Sequence, residues 1–150
     1  MIDLESVLAE WKEDSQIPPY ELDEVSRNTP SLHAKYLEYL SLTKLRLKQA
    51  EFKQKDLLKD KWMYYEGKLS QEEIKEKGWA YDPYEGHNIT TKANKEYYYD
   101  TDKDIQESEL KIQYLKTTID TLTEIVSNLN WRHQTISNMI KWRAFQEGQG

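Results

Sequence analysis

From Asp104 to Phe145 the apolar positions recur every seven residues. One register holds Ile105, Ile112, Ile119, Val126, His133 and Ile140, and its companion holds Ser108, Leu115, Leu122, Leu129, Ile136 and Arg143. Branched residues at a with leucine at d are coiled-coil chemistry, kept up here for about three to four heptads. An unbroken helix from Ile105 to Ile140 spans about 50 Å, too long a seam to be satisfied unless another helix lies along it. The partner is either the long N-terminal helix of the same chain or a second copy, and both pairings are open.

That other helix is predicted over residues 30–67. Thr29-Pro30 offers an N-cap followed by proline at the first helical position, and no further proline or glycine occurs until Gly67. On a helical projection Leu32, Tyr36, Tyr39, Leu40, Leu47, Ala50, Leu57, Leu58, Tyr64 and Tyr65 share one face. Lys44, Lys48, Lys55, Lys59 and Trp62 fall on the opposite side, interrupted by Glu51, while Lys61 falls among the apolar positions beside Tyr64 and Tyr65.

The remaining segments are shorter. Ile2, Leu4, Val7, Leu8 and Trp11 predict an amphipathic helix within an acidic segment, residues 1–28, ended by Pro18-Pro19. Ser70-Gln71-Glu72-Glu73 has capping-box form and predicts a short helix that Gly78 closes. Residues 79–100 show no clear period and read as an aromatic linker, so 68–100 is a short helix plus linker, and 102–147 is the heptad helix. The fold class is all-α, a single helical domain over 1–150: long amphipathic helices form a helical hairpin or coiled-coil-like protomer that assembles into a homo-oligomeric ring. Hydrophobic residues make up 37% and charged residues 32%. That is lean for a lone globule, which favours long helices or assembly.

Charge sharpens this picture. Residues 44–61 carry seven basic residues against three acids, a local +4 in a chain of net −6. Ammonium groups interleaved with aromatics suit a flexible polyanion with flat bases, that is, single-stranded nucleic acid. Residues 1–28 hold eight acids and two bases. They read as a solvated helix face, or as a segment that competes for the basic stripe or docks on a basic partner.

The chain has no cysteine. The three histidines, His33, His87 and His133, lack ligand spacing, and no phosphate-binding glycine loop or nucleophile elbow occurs. No enzyme activity, cofactor or metal is expected. The acidic N-terminus and the lack of a long apolar run lead to the expectation of an intracellular protein with no membrane partner.

Two blocks carry a family resemblance. The first runs from Leu32-His33-Ala34-Lys35-Tyr36-Leu37 to Lys59-Asp60-Lys61-Trp62-Met63-Tyr64-Tyr65-Glu66-Gly67. The second comprises Asp102-Lys103-Asp104-Ile105, Gln113-Tyr114 and the Arg143-Ala144-Phe145 ending. Together they resemble the UvsY family, the recombination mediator proteins of T-even-like phages. The resemblance implies a non-enzymatic helical protein, acting in the cytoplasm of an infected bacterial host and forming a hexameric or similar ring. It implies that the protein binds single-stranded DNA and helps load a RecA-like recombinase in place of the single-strand-binding protein, in recombination, repair and recombination-dependent replication. On the matching motif Lys59 and Lys61 take DNA-contacting roles, although Lys61 replaces an arginine and Asp60 replaces a small neutral residue. The candidate DNA-binding residues are therefore Lys44, Lys48, Lys55, Lys59, Lys61, Trp62, Tyr64 and Tyr65. The resemblance assigns assembly to the C-terminal region, hence Leu122, Val126, Leu129, Ile136, Ile140, Trp142 and Phe145. The alternative function is a helical scaffold or chaperone-like adaptor for protein partners.

Overall fold

Asp3 opens the first helix, α1 (Leu4–Asp14), by accepting the Ser6 N–H on its carboxylate at 2.7 Å. Four more helices follow in the computed structural model, which describes residues 2–148: α2 (Leu22–Tyr65), α3 (Gln71–Lys77), α4 (Lys92–Asp100) and α5 (Lys103–Gln146). No strand occurs among the described residues, in keeping with the all-α expectation. None of the helices is long and apolar enough to cross a membrane.

Two boundaries differ from the sequence expectation. α2 begins at Leu22, not at Thr29-Pro30, and Pro30 lies inside it. Leu22 is buried, and Asp23 and Glu24 in the first turn complement the helix dipole, so the earlier start is favoured despite the proline. Thr29 is consequently no cap; its hydroxyl donates to the Val25 carbonyl at 2.8 Å. Within the aromatic linker, Thr91 accepts the Asn94 N–H at 3.2 Å and starts α4, a helix that the run of three tyrosines conceals from periodicity. The capping box at Ser70 and the left-handed Gly78 form as the spacing predicts.

The chain divides into two compact units, Met1–Arg46 with Tyr114–Gly150, and Leu47–Gln113; α2 and α5 each contribute to both. The first unit's core joins Val7 of α1, Tyr36 and Leu40 of α2, and Leu122, Ile125 and Leu129 of α5. Trp11, Tyr36 and Tyr39 meet edge to face across it, with centroids 5.6 and 5.8 Å apart. The acidic segment is tied in by charge as well. Asp14 accepts from Lys35 at 2.5 Å and from the Tyr36 hydroxyl at 2.7 Å. Arg132, 4% exposed, donates to the carbonyls of Asp14 and Gln16 at the C-terminal end of α1, where a cation suits the negative end of the dipole.

In α5 one of the two expected registers is kept and the other steps back by one residue. Leu115, Leu122, Leu129 and Ile136 are buried as expected, as are Ile105 and Ile112. Beyond Ile112 the residues just before the expected positions, Thr118, Ile125 and Arg132, turn inward in place of Ile119, Val126 and His133, and the seven-residue repeat continues from there. Ile119 and Val126 are only partly buried, His133 is exposed and Ile140 is 50% exposed. Three proposed assembly residues are corrected by this: Leu122, Leu129 and Ile136 are spent inside the protomer, at 0–3% exposure. Val126 also packs against the first unit's core. Ile140, Trp142 and Phe145 remain exposed.

Candidate nucleic-acid interface

Within the second unit, Lys48, Phe52, Lys55, Lys59 and Trp62 follow one another at intervals of four, three, four and three residues along α2. That spacing keeps them on a single stripe about 21 Å long. All five are exposed, with Phe52 at 54% and Trp62 at 50%. Phe52 lies between two ammonium groups, with Lys48 and Lys55 at 5.2 and 5.8 Å from its ring centroid. Lys68, just past the helix, sits 4.5 Å from the Trp62 ring. Phe52 and Lys68 were missed by the sequence reading. Phe52 lies at the edge of the basic face on the projection, and an aromatic set apart from the apolar face was the available signal.

The stripe retains its positive character. Glu51 lies 3.8 Å from Lys48, and both side chains are substantially exposed, so the pair contributes little. Asp60, the acid between the two motif lysines, is engaged by Lys77 at 3.1 Å. Lys44 is exposed on the part of α2 that belongs to the first unit.

Three of the candidate DNA-binding residues lie elsewhere. Lys61 is 3% exposed, with its ammonium 3.0 Å from Asp102 and 2.9 Å from Asp104, and it sits 3.9 Å from the Trp79 ring centroid. Tyr64 and Tyr65 are core residues packed with Ile74, Trp79, Tyr84, Tyr98 and Tyr99. Tyr64 donates to the Ala80 carbonyl, Tyr65 to Asp102 at 2.7 Å, and Tyr84 to the Tyr65 carbonyl. The correction has a plain cause: these three belong to the apolar side of α2, and a buried ammonium is tolerated there because two carboxylates and an aromatic face receive it. Most of the linker's aromatics thus pack, while Tyr81 and Tyr97 stay exposed.

Asp102 joins these elements. One carboxylate oxygen accepts the N–H groups of Asp104 and Ile105, capping α5, while the other receives Lys61 and Tyr65. Burial alone would raise its pKa, but the donors from Tyr65, Lys61 and the Ile105 backbone outweigh that and hold it below the ordinary 3.8. Burial and the neighbouring Asp102 carboxylate together push the Tyr65 hydroxyl upward, so it stays a donor. No group of His, Asp and Glu among the described residues is arranged to hold a metal ion.

The fold has solved counterparts. A crystal structure of the bacteriophage T4 recombination mediator protein UvsY superposes with a TM-score of 0.77 at 23% identity, covering 98% of this chain and 99% of that one. A second lattice of the same protein gives 0.75 at 22% identity over 97% and 99%. Identity this low bears on the fold alone. Among curated proteins compared by sequence, none matches. The family model described as "Recombination, repair and ssDNA binding protein UvsY" matches residues 10–149, and the chain therefore belongs to the UvsY family.

Proposed function

We propose that this protein is a phage recombination mediator that binds single-stranded DNA along the exposed stripe of α2. The observation that carries the reading is the alternation of ammonium groups and open rings at Lys48, Phe52, Lys55, Lys59 and Trp62. Lysines take phosphates, and rings stack on bases of any identity, which suits a protein that must grip a strand regardless of sequence. Membership of the UvsY family and the likeness in fold to the T4 recombination mediator support the same direction. In this reading the chain helps load a RecA-like recombinase in place of the single-strand-binding protein, in the cytoplasm of an infected bacterium, without catalysing a reaction.

One stripe binds weakly, because only a few phosphates are neutralised. Copies joined in a hexameric or similar ring raise the effective concentration of each site, so avidity replaces affinity while every contact can still release. Ile140, Trp142 and Phe145, all exposed, supply the contact between copies; the Trp142 and Phe145 rings stack at 5.6 Å.

Fluorescence anisotropy of a labelled single strand across a salt series tests the reading. Three stripe lysines predict a slope of log K against log salt of about −2 per protomer engaged. Binding should exceed that of duplex of equal length, and Lys55→Glu with Lys59→Glu should abolish it without loss of helix content. Absence of binding at low salt would transfer the stripe to a protein partner, the scaffold alternative.

A further inference from the structure

The spacing that generates the stripe does not stop at Trp62. Lys48, Phe52, Lys55, Lys59 and Trp62 advance by four, three, four and three residues, and the next step of four lands on Glu66. Although α2 ends at Tyr65, the Glu66 N–H still donates to the Trp62 carbonyl at 2.9 Å, so its side chain leaves the backbone on the same face. Trp62 and Glu66 accordingly line one groove within the second unit. A bare carboxylate there would end a row of ammonium groups with the wrong sign, one turn from the open Trp62 ring. It would repel the phosphates on either side of a base stacked on that ring.

The carboxylate is not bare. Lys95 of α4 reaches it at 3.2 Å, the two side chains being 26% and 33% exposed. This contact is closer and more sheltered than that of Lys48 with Glu51, which are 3.8 Å apart with the lysine 62% exposed. It therefore keeps more of its strength against solvent and salt. Its origin differs too: Lys48 is itself a stripe lysine, whereas Lys95 comes from outside the stripe and subtracts no charge from it. Lys77 of α3 treats Asp60 in the same way. The other charges lining the groove, Lys92 and Glu96, are exposed and of opposite sign. Lys68, 4.5 Å from the Trp62 ring, is left as the excess charge at this end.

We infer that Lys95 is a positioning residue for strand binding: it touches no nucleotide, and by neutralising Glu66 it keeps the Trp62 end of the stripe open to a phosphate backbone. The inference rests on the single-strand-binding reading above and adds to it a role for α4, which carries none of the stripe.

Two single variants and their double, made in the full chain and read by anisotropy of a labelled single strand at low salt, test it. Lys95→Met uncovers the carboxylate and should weaken binding about threefold, the scale of one screened charge near a phosphate, with a deficit that shrinks as salt rises. Glu66→Gln keeps the shape, frees the Lys95 ammonium and should strengthen binding by a similar factor. The double variant lacks the ion pair just as Lys95→Met does, yet should return to the affinity of the unmodified chain, as should Lys95→Arg. That recovery separates masking from a mere docking of α4, since the ion pair is absent from both, and from a strand contact to which Glu66 is indifferent. Unchanged binding in Lys95→Met, or a double variant as weak as Lys95→Met, overturns the inference. Should Lys95→Met lose helix content, Glu66→Gln decides alone, and an affinity no higher than that of the unmodified chain overturns it. Failure of the unmodified chain to bind removes the stripe reading itself, which no difference among the variants could do.

Discussion

Lys59 and Lys61 are two residues apart and serve different ends. Lys59 is exposed on the stripe, while Lys61 is held at 3.0 and 2.9 Å by two carboxylates in the second unit. Removing one partner of a buried pair leaves the other charge uncompensated, so Lys61→Met should lower unfolding free energy by about 3 kcal/mol in chemical denaturation. Lys59→Glu should leave the unfolding midpoint nearly unchanged and weaken only strand binding. A result with the two effects exchanged would reverse the assignment. The different placement of Lys61 was partly legible: on the helical projection it fell among apolar residues beside Tyr64 and Tyr65. What no local pattern supplied was its counter-charge, because Asp102 caps another helix, 41 positions along the chain.

At the scale of elements, α2 carries a proline well past its first turn. Pro30 withdraws the N–H that the Ser26 carbonyl would otherwise accept, and its ring crowds that carbonyl. Pro30→Ala should therefore raise the thermal midpoint, with a gain of about 1 kcal/mol or more; a fall would mean that the ring's own packing outweighs the lost bond. The docking of α1 and the start of α5 both rest on carboxylates held below 3.8. At Asp14, burial raises the pKa, and the donors Lys35 and Tyr36 more than reverse it; Asp102 follows the same balance. A carboxylate depressed in the folded state contributes fully above its unfolded pKa and loses that contribution as pH falls through the folded value. Stability from these two groups should hold down to about pH 4 and be lost progressively below 3.8. Asp14→Asn combined with Asp102→Asn should flatten that acid limb in urea titrations at stepped pH. The long helices were readable because their apolar positions recur over many turns. The one-residue step of the other register in α5 was not, because whether Ile119 and Val126 or the residues before them turn inward is set by what packs against the helix.

Across the whole molecule, net charge of −6 opposes a polyanion, so strand binding depends on local charge within a screening length. In the proposed ring, self-association falls to the exposed Ile140, Trp142 and Phe145 near the end of α5. Trp142→Asp with Phe145→Asp should shift sedimentation toward a single chain while leaving helix content intact. Leu129→Asp, by contrast, places a charge at a site 3% exposed in the first unit's core and should unfold that unit. If Leu129→Asp gave a folded single chain, the division between interior and contact residues would be wrong. The sequence pattern identified both sets as apolar and could not separate them, since a heptad reads the same whether its partner lies within the chain or outside it.

Asp102 begins α5 with one oxygen and receives the end of α2 with the other. The start of one helix and the end of another are thereby held by a single side chain. A substitution at position 102 therefore acts twice, removing the cap of α5 and leaving the buried Lys61 ammonium with a single carboxylate.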